Sequence, residues 1–520
     1  MKRSWLDIAS EKRAIRDEKL TKAYGEDQPV DSRILAAKDV QDLIKLLESG
    51  EITSEAIILA HILKAKEAHQ RTNCLTEIRF EEALLEARQL DVFQQEHGCL
   101  KGPLHGIPVS LKDQFDIQGL DSTLGYVGRS FRPADQDCVL VTVLRQLGAV
   151  ILAKTNLPQS ILWGETGNPL WGLTTHPMNP DFTPGGSTGG EGTLLSLNGS
   201  AIGWGTDIGG SIRIPAHING LWGLKPSSGR FSYQGVAVSQ DGQQQVPSAI
   251  GPMARTLNTL TLVSKAVIEV ECWKMDPQLL PVPWKEDIFQ QYSKKKLVIG
   301  LMLDDGVVMP HPPVKRIFND LCQKLEATGH ELVPWDTSLV TECVDLMTEH
   351  YLVDGGEDIR RDVDAAGEPY LPHVKNLVDK ASAISVYEYW QLNKRKKAKQ
   401  AAYNDMWNSA RSPSGRPVDV LLVPTMPHTA IPHRTMRHAA YTKLFNFLDY
   451  TALSFPAGKA SKALDAAFPS YEPRNSADAW NWGLYDIEKM DGFSVGLQIV
   501  GRRMEEEKVL GAAHQFQKLL

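Results

Sequence analysis

The stretch 183–215, TPGGSTGGEGTLLSLNGSAIGWGTDIGGSIRIP, contains Gly-Gly-Ser twice and sets Ser187 and Ser211 24 residues apart. Ten glycines fill it, and Glu191, Asp207 and Arg213 are its only charged side chains. Glycine at that density marks backbone that turns tightly or closes on a ligand. A serine placed there could attack a carbonyl carbon, because successive main-chain N–H groups can hold the oxyanion that forms. In GTDIGGS the N–H groups of Ile208, Gly209, Gly210 and Ser211 offer such a nest. A free hydroxyl is a poor nucleophile, so a reacting serine also needs a base.

Three readings of this segment compete. A phosphate loop would need a lysine in the Gly-x4-Gly-Lys pattern, and none lies between Lys154 and Lys225; the spacing of a dinucleotide fingerprint fails as well. A nucleophile elbow fits the letters of Gly185-Gly186-Ser187-Thr188-Gly189, but the approach HPMNPDFTP carries three prolines and no strand alternation. The third reading makes Ser211 the nucleophile, where a glycine turn meets the regular structure that begins with IRIPAHING. Taken alone, either unit could also be a plain turn.

The base decides among them. His217 lies in the apolar context IPAHINGLWG and reads as a core or wall histidine, while His176 precedes a proline and reads as a surface loop residue. Lys112, in GPLHGIPVSLKDQFDI, is the stronger candidate. Strand alternation sets Ser110, Lys112 and Gln114 on one face and Asp113 on the other, so Asp113 does not hold the lysine protonated. Burial disfavours an ammonium, at about 1.4 kcal/mol for each unit of lowered pKa. Most strand lysines sit at edges or surfaces, so Lys112 gains its weight from combination with the two serines. Asp207 and Arg213 flank Ser211 with opposite charges and are assigned to shaping the turn. No His/Asp/Glu cluster near the segment has ligand spacing, so neither a metal nor another cofactor is expected.

The elements that must position these residues follow an α/β rhythm. Strand candidates 107–115 and 149–155 flank a helical pattern at 137–147, and 296–303 and 330–336 flank another at 314–327. Further strands are expected at 418–425 and 493–501, with a closing helix at 505–519, a long helix at 385–410 and an irregular excursion at 457–483. This predicts one large α/β domain with a mixed, mostly parallel sheet covered by helices on both faces, and an N-terminal helical segment, 1–75, packed on a catalytic core, 76–520. The net charge of −7 excludes a nucleic-acid surface, and the dense basic run at Lys394–Lys399 reads as a solvated helix face. Six cysteines without a CxxC pair and an N-terminus lacking an apolar signal core predict a cytoplasmic protein. The longest apolar run is broken by Arg145, Gln146 and Gly148, so no membrane span is expected.

Together, GPLHGIPVSLKD, GGSTGGEG, GTDIGGSIRIPA, GLWGLKPS, GPMARTLNTL and VGLQIVGRR resemble the amidase signature family over nearly the whole chain. SWLDIASEKRA, VVMPHPPVKR and GEPYLPHVKNL strengthen the likeness to its fungal-type acetamidases and general amidases. The resemblance implies a Ser–cis-Ser–Lys triad, with Ser211 as nucleophile, Ser187 as a bridging serine after a cis peptide from Gly186, and Lys112 as base. It implies hydrolysis of a carboxamide to carboxylate plus ammonia or amine through an acyl-enzyme. A glutamine-dependent amidotransferase subunit and a fatty-acid-amide-type hydrolase are the alternatives within the family. Two positions depart from its commonest pattern: Thr188 replaces the second serine of GGSSGG, and Ser494 stands where a proline usually precedes Val-Gly-Leu-Gln. The expected partner is a small-molecule amide, and a homodimer is an assembly the chain could form. SILWGETGNPLWG brings Ile161, Leu162, Trp163 and Trp171 near the serines in sequence as an apolar acyl wall, with ordinary core packing as the competing reading.

Overall fold

Short apolar runs bounded by glycine, proline and polar turns become strands, and longer amphipathic runs become helices, in a computed structural model that describes residues 3–25, 30–466 and 470–520. The strands are β1 (Leu75–Ile78), β2 (Pro108–Lys112), β3 (Val150–Thr155), β4 (Gly167–Asn168), β5 (Gly172–Leu173), β6 (Ile202–Asp207) and β7 (Trp222–Lys225). They continue as β8 (Ala249–Ala254), β9 (Val298–Leu301), β10 (Glu331–Pro334), β11 (Val420–Pro424), β12 (Ala452–Lys459) and β13 (Ser494–Val500). Eleven of them form one sheet in the order β1-β3-β2-β6-β8-β7-β12-β13-β11-β9-β10, and β4 with β5 makes a separate small hairpin.

The expected single α/β domain with a mixed sheet is what forms. Its parallel ladders lie toward the two ends, where β2 pairs with β3 and β6, and β9 pairs with β10 and β11. The centre, from β6 through β11, is antiparallel, which gives antiparallel pairing a larger share than the strand–helix rhythm predicts. The reason lies in the sequences of the central strands. IGWGTD, AIGPMA and ALSFPAGK are broken by glycine and proline and do not read as apolar runs, yet they are β6, β8 and β12.

Both faces of the sheet are buried. On β3, Ile151 joins a core with Val109, Leu111 and Trp204, whereas Val150 and Leu152 pack the opposite way against Ile62, Phe80 and Ala83. The second group comes from the helices Ser54–Thr72 and Phe80–His97. Period-two alternation with apolar residues on both sides is the pattern of a strand covered twice. The N-terminal helix Trp5–Thr21 is tied down by charge: Lys12 Nζ lies 2.5 Å from Glu77 and 2.7 Å from Asp121, and Arg16 donates to the Leu75 carbonyl at 3.2 Å.

Two surface expectations need correction. The excursion at 457–483 is more regular than its composition suggests: β12 runs on to Lys459, and Ser476–Gly483 is helical because Asn475 caps it, accepting the Asp478 N–H at 2.9 Å. Residues 467–469 of that stretch lie outside the described residues. The basic run on the helix Val386–Ser409 is only partly solvated, since Lys396 is buried and donates to the Gln245 carbonyl while Arg395 and Lys399 pair with Glu349 and Glu342.

One close approach explains the glycines of GWG. The register sets Ser110 opposite Gly203, and the helix Gly189–Ser196 lies on the same face of the sheet. A Cβ on Gly203 would come within 2.3 Å of Glu191 Oε2, and one on Gly205 within 2.5 Å of the Thr188 methyl. Gly205→Ala is therefore expected to destabilise the fold by about 1–3 kcal/mol through overpacking. Urea unfolding checks this, and an unchanged midpoint would contradict the packing described.

Candidate active site

The parallel strands β3, β2 and β6 end at the same edge of the sheet, where loops from several strands can converge. Lys112 is the last residue of β2 and Asp207 the last of β6. Lys112 is fully buried, with Nζ 2.7 Å from Ser187 Oγ and 3.0 Å from Thr206 Oγ1. The Thr206 hydroxyl donates to Gln114 Oε1 at 2.7 Å, so toward Lys112 its oxygen can only accept. The Ser187 contact is thus the one in which a neutral amine can take a hydrogen bond. Burial lowers Lys112 to about 7, against the charges of Asp207, Asp113 and Glu191, which pull it back up. Asp113 faces away, as the strand alternation predicts, and accepts from the N–H groups of Thr123 and Leu124 and from the Thr123 hydroxyl. Burial pushes the Glu191 carboxyl up to about 8, opposed by hydrogen bonds from Ser110 and Thr155 and by Lys112.

The Gly186–Ser187 peptide is cis, and the Thr188 N–H donates to the Ser211 carbonyl at 3.1 Å, which ties the two Gly-Gly-Ser units together. Ser187 is 1% exposed and Ser211 8% exposed. Among the described residues Ser211 Oγ has no hydrogen-bond partner. The turn that carries Ser211 is clamped by a buried ion pair in which Arg213 Nε and Nη2 each lie 3.0 Å from a different oxygen of Asp207. Arg213 also donates to Gln498, Asn446 and the Thr442 carbonyl, and Asn446 donates back to Asp207. Burial alone would raise the Asp207 carboxyl, but the Arg213 charge and these hydrogen bonds hold it well below the ordinary range. Asp207 also narrows the expected nest. It accepts the Gly210 N–H at 2.8 Å, so Gly210 has no donor left, whereas among the described residues the N–H groups of Ile208, Gly209 and Ser211 have no acceptor.

The model of the Amidase family matches residues 56–510. The chain belongs to the amidase family. It is 76% identical to Amidase 1 of Gibberella moniliformis over the full length of both chains, and 36% identical to an acetamidase of Emericella nidulans, covering 100% of this chain and 99% of that one. Its fold is similar to that of a solved fatty acid amide hydrolase, with a TM-score of 0.89 and 31% identity, covering 100% of this chain and 91% of that chain.

Other groups singled out from the amidase's sequence are placed differently. His217 is buried and reads as the wall residue expected: Nδ1 accepts the Gly496 N–H at 2.7 Å, Nε2 lies 2.8 Å from the His428 carbonyl, and burial lowers the ring to about 4. With both nitrogens occupied it cannot serve Ser211. His176, expected at the surface, is instead buried, because its ring packs on Phe493 at 4.8 Å and takes the Met178 N–H at 3.1 Å. The apolar wall separates into core and cavity. Positive φ at Ser160 (72°) and Ile161 (61°) turns Ile161 into a core with Leu124 and Tyr126, on which Leu162 packs half-buried. Trp171 is also core, since the β4–β5 hairpin directs its Nε1 to Thr123 Oγ1 at 3.1 Å. Trp163 alone of the four lines a cavity of about 800 Å³, stacked on His373 at 4.7 Å.

Three contributors escaped the sequence reading. Thr206 and Glu191 lie inside the glycine-rich stretch and carry a hydroxyl and a carboxyl, which is the only local signal they give. Asn446 sits more than 200 residues from Asp207 and gives none. The clamp makes a direct prediction. Arg213→Met leaves Asp207 as an unpaired buried charge and is expected to cost about 3–5 kcal/mol, with the double variant Asp207→Asn/Arg213→Met recovering part of the loss. Urea unfolding of both variants measures it, and a loss under about 1 kcal/mol for the single variant would contradict the assigned role.

Proposed function

We propose that this amidase hydrolyses a carboxamide to a carboxylate and ammonia or an amine, with Ser211 as nucleophile, Ser187 as proton carrier and Lys112 as base. The observation that carries the reading is the 2.7 Å contact between a fully buried Lys112 Nζ and Ser187 Oγ, on the same turn that Thr188 ties to Ser211. The family match and the likeness to acetamidases and a fatty acid amide hydrolase support it.

Ser211 Oγ attacks the amide carbon while its proton moves to Ser187 Oγ, and the Ser187 proton moves to neutral Lys112. The carbonyl oxygen becomes an oxyanion, for which the free N–H groups of Ile208, Gly209 and Ser211 are the donors on hand. Collapse breaks the C–N bond, and the proton held by Lys112 returns through Ser187 to the departing nitrogen. Water then attacks the Ser211 ester, giving a proton to the same relay. The C–O bond breaks, Ser211 recovers its proton, and the acid leaves and ionises in water to the carboxylate. Thr206 and Gln114 position Lys112, and Asp207 with Arg213 holds the donor turn open.

Two variants test the roles. The parent is expected to show an acyl adduct by mass spectrometry after mixing with an activated amide, and Ser211→Ala is expected to lose both that adduct and turnover. Lys112→Arg is expected to lose several orders of magnitude in the first-order acylation rate, because arginine keeps its proton at any workable pH. Turnover within tenfold of the parent by either variant would contradict the assignment.

A further inference from the structure

Two walls of the cavity beside Trp163 belong to segments that also reach the serine site, and residues 369–376 form a third. One wall is the loop 163–168, in which Thr166 Oγ1 donates to the Gly185 carbonyl at 2.8 Å and accepts the Gly189 N–H at 3.1 Å. The same loop presses on the cis peptide, since a Cβ built on Gly186 would meet the Glu165 carbonyl oxygen at 2.5 Å. The second wall is the segment 434–437, which leads into the helix Ala440–Phe447. There Thr442 Oγ1 donates to the Gly209 carbonyl at 2.7 Å. Arg437 and Thr442 are five residues apart, so their Cα atoms are separated by at most ~18 Å. A ligand held at Arg437 would have no more than about that distance to cover to the helix residue that contacts the donor turn.

The charge on this cavity is uncompensated. Arg434 and Arg437 both line it and both are exposed, and among the described residues neither guanidinium has a hydrogen bond or an ion pair. Among the described residues Glu165 is the only acidic residue lining the cavity, and its carboxylate is already engaged by His433 Nδ1 and by the Arg434 N–H at 2.6 Å. The rest of the wall that matters here is apolar: Trp5, Trp163, Leu173 and Met436. A neutral acyl chain would cover those side chains and leave the two cations to solvent alone. A carboxylate matches the planar donor fork of arginine, and its hydrogen bonds strengthen as ligand displaces water from the apolar wall.

We propose that this amidase prefers amides that carry a carboxylate remote from the scissile bond, with Arg434 and Arg437 holding the anion and an apolar or aryl body lying against Trp163. The proposal rests on the amide-hydrolase reading of Ser211 and names the substrate class of that site.

The test is a matched pair of anilides, identical except that one ends in a carboxylate and the other in its methyl ester. Binding of each is measured on the Ser211→Ala protein by tryptophan fluorescence, with the parent's turnover of the pair recorded separately. The acid is expected to bind at least tenfold more tightly than the ester. That advantage is expected to shrink as salt rises, to disappear in Arg434→Gln/Arg437→Gln on the Ser211→Ala background, and to return in part with lysine at both positions. Equal dissociation constants for the pair, or an advantage that survives the double glutamine variant, would overturn the proposal whether or not the parent turns either compound over. Absence of turnover with intact preferential binding of the acid would instead count against the proposed reaction alone.

Discussion

An ammonium group carried into the centre of a sheet needs a carboxylate beside it or must give up its proton. Lys112 ends a strand buried on both faces, and among the described residues its nitrogen touches only two hydroxyls, those of Ser187 and Thr206. The nearest acids are each otherwise engaged: Asp113 on the far side of the strand, Asp207 on Arg213, and Glu191 between Ser110 and Thr155. Burial pushes Glu191 toward its neutral form, which removes one charge that would otherwise keep Lys112 protonated. Desolvation therefore outweighs the surrounding charges, and the amine is poised to accept a proton near neutral pH.

The rest of the site answers to that constraint. A neutral lysine is useful only if a hydroxyl stays within hydrogen-bond reach, and Ser187 Oγ lies 2.7 Å from its nitrogen. Ser211 belongs to another strand end, and its main chain is brought to Ser187 by the single hydrogen bond from Thr188. Asp207 and Arg213 then do two things at once. They close the turn after β6, and among the described residues they take the Gly210 N–H while those of Ile208, Gly209 and Ser211 stay without an acceptor. The glycines of β6 give the helix Gly189–Ser196 room to lie close enough for Glu191 and Thr188 to reach this edge.

Much of this was legible in the sequence where pattern and chemistry agreed. Period-two alternation set Lys112 apart from Asp113, and apolar runs located β2, β3, β9, β10, β11 and β13 to within a few residues. The antiparallel centre was hidden because β6, β8 and β12 carry glycine or proline where a strand signal needs branched side chains. Trp171 and Trp163 could not be separated by composition, since it is the β4–β5 hairpin that turns Trp171 to Thr123, while Trp163, ahead of that hairpin, lines a cavity. Gly210 looked like a free donor because the carboxylate that takes its N–H lies three residues away, and nothing in the letters says which way Asp207 turns.

The proposed reaction needs a Lys112 that is neutral when Ser211 attacks. The most direct measurement is the pH dependence of the acylation rate, followed by stopped flow in single turnover with a chromogenic amide that has no ionisable group of its own. Protonated Lys112 leaves Ser187 without an acceptor, so the rate should fall tenfold per pH unit below about 7 and level off above it. A rate that stays flat down to pH 5, or that keeps climbing tenfold per unit to the ordinary lysine range near 10, would contradict a lysine neutralised by its burial.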